Sequence, residues 1–106
     1  MRQETIAEAI RQEFELTRDW VSIAGALSAL GINDRAATGL EVEPILRCVD
    51  ETPTLRLGAV RSRFQEIDSP LPIADLLDEI FSSPSPSDRV GAMMGYYIDV
   101  QPLGGQ

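Results

Sequence analysis

The segment Ile45-Leu46-Arg47-Cys48-Val49-Asp50-Glu51-Thr52-Pro53-Thr54-Leu55-Arg56-Leu57-Gly58-Ala59-Val60-Arg61-Ser62-Arg63-Phe64-Gln65-Glu66-Ile67 determines whether this chain is helical throughout or mixed. Pro44 suits the first turn of a short helix that runs to about Glu51 and buries Ile45, Leu46 and Val49. Thr52-Pro53-Thr54 breaks that helix. Beyond the break, Leu57, Val60, Phe64 and Ile67 recur at intervals of three, four and three, which is a helical period. The same residues admit a second pattern, in which 45–49 and 54–57 pair as a β-hairpin across Asp50-Glu51-Thr52-Pro53. The helical pattern makes the chain a mainly α domain of five or six short helices, and this is the expectation. The alternative is an α+β fold with a small antiparallel hairpin near 45–58.

The flanks are easier. Ile6, Ala9, Ile10 and Phe14 fall at helical spacing opposite Glu4, Glu8, Arg11, Gln12 and Glu15, which predicts a surface helix over 3–15. Trp20, Ile23, Ala24, Leu27 and Leu30 form a broad apolar stripe, so a second helix is expected from about Arg18 to Leu30, with Gly31 just past its end. Ile32–Gly39 reads as a loop around Asn33-Asp34. Ser69-Pro70-Leu71-Pro72 leads into the clearest helix, with Ile73, Leu76, Leu77, Ile80 and Phe81 on one face and Asp75, Asp78 and Glu79 on the other. Ser82–Pro86 is a loop, after which Ser87 is placed to cap a last helix carrying Val90, Met93, Met94 and Tyr97 inward. Tyr96–Val100 has the β propensity of an edge strand as an alternative. Residues 1–100 are thus expected to form one globular domain and 101–106 a tail.

Composition removes many function classes. The 106 residues include no histidine, no lysine and one cysteine, Cys48. Histidine and lysine supply most general-base, Schiff-base and metal chemistry near neutral pH, so the usual triads and zinc sites cannot be assembled. Cys48 has no histidine to activate it and reads as a small buried hydrophobe. The acids sit on solvated helix faces, with no alternating-acid calcium loop and no phosphate-cradling glycine loop. No catalytic residues, metal ligands or cofactor are therefore assigned, and the chain is expected not to be an enzyme. One cysteine forms no internal bridge, and the absence of a signal-peptide pattern or a membrane-length apolar run gives a cytoplasmic expectation. Arginine as the sole basic side chain fits a GC-rich, bacterial coding sequence.

The net charge of −8 is uneven. Residues 1–51 carry ten acids against five arginines, and 66–88 carry six acids and no base. Between them 52–65 holds Arg56, Arg61 and Arg63 and no acid. The bulk charge repels nucleic acid and anionic lipid and steers toward a basic protein. The expected function is accordingly a small acidic protein-binding module, of the inhibitor, immunity, chaperone or adaptor type, docking onto a basic partner. Its electrostatic contact residues would be Asp75, Asp78 and Glu79, with Glu41 and Glu43 as a second cluster. The alternative is a nucleic-acid-binding transcriptional regulator. A short helix, the Thr-Pro-Thr turn and a basic helix over 54–67 would imitate a helix-turn-helix that reads through Arg56, Arg61 and Arg63.

The terminal Gly104-Gly105-Gln106 resembles the end of the prokaryotic ubiquitin-like tag, and Leu76-Leu77-Asp78-Glu79-Ile80 echoes that family's acidic helix. The resemblance covers three to eight residues and implies a C-terminal glutamine that is deamidated and ligated to lysines of target proteins. That family is short, polar and largely disordered, whereas this chain has an apolar core.

Overall fold

The computed structural model describes residues 3–60 and 62–101. In chain order these form α1 (Gln3–Thr17), β1 (Val21–Ser22), α2 (Ile23–Ala29), α3 (Gly39–Glu51), β2 (Leu55–Val60), β3 (Phe64–Glu66), α4 (Ile73–Ile80), α5 (Pro86–Met93) and β4 (Tyr96–Val100). The strands make one antiparallel sheet in the order β1-β4-β2-β3. The fold is therefore α+β, and the expectation of a mainly α domain is overturned.

The overturned segment is 54–67. Leu55 and Leu57 are buried while Arg56 between them is half-buried, a period of two. The helical spacing of Leu57, Val60, Phe64 and Ile67 is a coincidence of register. Val60 pairs with Phe64 on one face of the sheet, whereas Leu57 pairs with Ile98 on the other. Gly58, which would cost a helix interior about 1 kcal/mol relative to alanine, sits in mid-strand instead. The alternative hairpin near 45–58 is misplaced as well. Residues 45–51 remain helical, and the hairpin joins Leu55–Val60 to Phe64–Glu66. The 96–100 strand forms, but between β1 and β2 rather than at an edge.

Helix boundaries follow local capping chemistry. α1 ends where Arg18 adopts a left-handed φ of 56° and returns its amide to the Phe14 carbonyl at 2.8 Å. The helix expected from Arg18 therefore starts only at Ile23, where Ser22 accepts a hydrogen bond from the Gly25 amide. Gly31, at φ 77°, follows that helix as the sequence pattern requires. α3 starts earlier than Pro44 suggests, because Thr38 and Glu41 form a reciprocal capping box. Pro44 lies inside the helix. Ser85, not Ser87, caps α5, with Pro86 in its first turn.

One face of the sheet is covered by helices: α3 packs on β2 and α2 on β4. Leu57, Ile98 and Val21 from this inner face join Leu27, Ile45, Leu46 and Ile80 in a single apolar core. Met93 is fully buried there, whereas Met94 is exposed and Tyr96 and Tyr97 are half-buried. No helix among the described residues is long and apolar enough to cross a membrane.

Candidate functional site

Register assigns the residues of the other face. Arg56 opposes Asp99, Gly58 opposes both Tyr97 and Glu66, Val60 opposes Phe64, and Tyr97 opposes Ser22. Directly opposed residues share a face. Apart from Gly58, these residues are half-buried or exposed, so this outer face is open to solvent.

Its two halves differ. Trp20, the chain's one tryptophan, precedes β1, and Phe64 opens β3, so they come from opposite edges of the sheet. Three strand spacings separate those edges, roughly 14 Å. The two rings nevertheless meet with centroids 5.2 Å apart and planes tilted by 40°. Tyr97, between them on β4, stands edge-on to Trp20 at 6.5 Å. Gly58 makes room for this: a Cβ there would lie 2.6 Å from Phe64 Cζ and 2.8 Å from the Gln65 carbonyl. The aromatic rings touch one another, so they form a packed ridge and not an open cage for a cation.

The other half is charged. Arg56 on β2 donates through Nη1 to Glu66 Oε1 on β3 at 2.9 Å and through Nη2 to Asp99 Oδ2 on β4 at 2.6 Å. Gln101 donates to the same Asp99 oxygen at 2.8 Å. The Arg56 guanidinium also lies 6.0 Å from the Phe64 ring centre. The bond to Asp99, reinforced by Glu66, raises the Arg56 pKa further above its ordinary range.

The residues singled out from sequence are distributed as follows. Asp75, Asp78 and Glu79 share the exposed face of α4 as their spacing requires, and Glu79 accepts a hydrogen bond from the Tyr96 hydroxyl at 2.7 Å. Glu41 serves the α3 cap through Thr38, and Glu43 pairs with Arg47 one turn on. The basic helix over 54–67 that the nucleic-acid alternative requires does not form, because Leu55–Val60 and Phe64–Glu66 are strands. Arg56 is held between two carboxylates in the sheet, and Arg63 is exposed in the turn before β3. Arg61 and the Gly104-Gly105-Gln106 terminus lie outside the described residues. Cys48 is buried, and that burial raises its thiol pKa although Thr52 and Arg11 oppose the shift. No group of three His, Cys, Asp or Glu side chains able to hold a metal occurs among the described residues.

The aromatic ridge was not visible in the sequence because Trp20 fits a helical stripe so well. Gly58 in the middle of a presumed helix was the one signal that could have exposed it.

No protein-family profile, curated protein or solved structure matches this chain.

Proposed function

We propose that this protein is a small non-enzymatic binding module of the inhibitor, immunity, chaperone or adaptor type, which docks a basic protein on the outer face of its sheet. The observation that carries this reading is the ridge of Trp20, Phe64 and Tyr97 left open to solvent beside Arg56. Tryptophan, tyrosine, phenylalanine and arginine are the side chains enriched at protein interfaces, and they carry disproportionate binding energy there. The net charge of −8 speeds the approach of a basic partner, with Asp75 and Asp78 on α4 contributing to the field. A chain without histidine or lysine, and with its one thiol buried and raised in pKa, offers little for catalysis. That single buried thiol also fits the reducing cytoplasm that this reading assigns.

A capture experiment from source cells, run with and without nuclease, tests the class of partner. One stoichiometric basic protein that survives nuclease and weakens with salt supports the reading. Recovery of nucleic acid, with protein lost on digestion, contradicts it and favours stacking of bases on the same rings.

A further inference from the structure

At the edge of the sheet, beside the first half of β2 and the end of α3, the structure has a cleft of about 220 Å³. Strand β3 pairs with β2 only as far as Gly58, and after Ile67 the chain leaves the sheet toward Ser69 and Leu71. The space between that departing segment, the end of α3 and Leu55–Leu57 is the cleft. Its volume is below the ~300–1,000 Å³ of ordinary small-molecule sites and suits one long side chain.

We infer that this cleft receives an arginine or lysine side chain of the basic partner. This rests on the protein-binding reading above and names the contact that reading lacks. The walls are aliphatic, formed by Val49, Leu55, Leu57 and Ile67, and the polar lining includes Asp50 and Glu66. Asp50 is held in place by Ser69 Oγ at 2.8 Å and the Leu71 amide at 2.9 Å. Both of those bonds fall on Oδ1, so Oδ2 carries neither.

Charge decides the class of occupant. The cleft's one cation, Arg56, has both terminal nitrogens engaged by Glu66 and Asp99. Its Nε lacks a hydrogen-bond partner but has no accessible surface, so it offers an anion nothing. The lining thus carries two carboxylates, Asp50 and Glu66, against one guanidinium that Asp99 engages as well, a local surplus of one negative charge. An anion is repelled, and a purely apolar group would desolvate Asp50 without return. A long aliphatic stem ending in a cation satisfies both the walls and the carboxylates. The cleft also shares Arg56 and Glu66 with the aromatic face, so one partner can contact both.

The test is a titration of the intact protein with N-acetyl-arginine amide, followed by amide chemical shifts, against the neutral isostere N-acetyl-citrulline amide. The expected result is saturable shifts at Leu57, Ile67, Ser69 and Leu71 with the arginine probe and none with citrulline. Asp50→Asn, which keeps an acceptor for Ser69 and Leu71, should weaken the arginine probe about tenfold. Equal shifts from citrulline, arginine shifts centred on Asp75 and Asp78, or no saturable shift would each overturn the inference. No partner is present in this titration, so its failure is distinct from failure of docking on the aromatic face.

Discussion

Trp20 and Phe64 belong to opposite edges of a four-stranded sheet, yet their ring centroids stand 5.2 Å apart. Of the two strands between those edges, β4 presents Tyr97 and β2 leaves room where it presents no side chain. Gly58 is that gap, and Phe64 lies over it. The outer face is thus an aromatic ridge built over a glycine, with an ion cluster beside it.

Gly58→Ala is therefore expected to destabilise the protein by about 1–3 kcal/mol through overpacking against Phe64. It should also change the Trp20 emission spectrum, because the ring it leans on must move. Gly91→Ala, in α5 with nothing within 4 Å of the added carbon, is expected to be neutral or to stabilise by about 0.4–1 kcal/mol. Urea unfolding of the two variants decides this; equal effects would show that Gly58 is not a packing constraint.

Arg56 bridges β2 to both its neighbours, and its partner Asp99 is only 16% exposed in its side chain. The Arg56–Asp99 coupling should accordingly exceed that of the exposed helical pair Arg47–Glu43. Double-mutant cycles are expected to give about 1 kcal/mol for the first, after allowance for Arg56's own exposure, and roughly 0.3–0.5 kcal/mol for the second. A coupling in the sheet no larger than that in the helix would remove Arg56 from the account of how the strands are held.

Glu41 has a structural task in the Thr38 capping box. Thr38→Ala should lower stability by about 1 kcal/mol, and Glu41→Gln should retain most of it because glutamine can still accept from the Thr38 amide. The measurement is again chemical unfolding. A loss on Glu41→Gln as large as that on Thr38→Ala would mean that the charge, not the box, matters.

The periodic elements were legible in the sequence. α1 and α4 formed where apolar residues recur at helical spacing, and Gly31 follows α2 as its position implied. The sheet was hidden because its longest strand imitates a helix. Leu57, Val60, Phe64 and Ile67 keep helical intervals although two of them face away from the core. Trp20 misled in the same way, since a left-handed Arg18 breaks the helix just before it. The open face depends on pairing between residues as far apart as Ser22 and Tyr97, and no local pattern encodes that pairing. Charge alone does not reveal that Glu41 is engaged by the Thr38 cap of α3 and Glu43 by Arg47 one turn on.

Burial pushes the Cys48 thiol above its ordinary value of 9.0. The unfolded chain therefore loses its thiol proton first as pH rises. Stability contributed by the neutral buried thiol is complete below 9.0 and declines above it toward the folded-state value. A thiol reagent at neutral pH should leave the native protein unmodified and label one cysteine after denaturation. Above about pH 9, thermal stability should fall more steeply for this chain than for Cys48→Ala. Rapid labelling of the native protein would contradict the burial.

The most direct test of docking on the outer face is site-specific photocrosslinking in source cells. A benzoylphenylalanine replaces Tyr97 on the outer face in one variant and exposed Gln12 on α1 in another. The account predicts one discrete adduct with a basic protein from position 97 and none from position 12. An adduct from position 12 alone, or from neither, would contradict it.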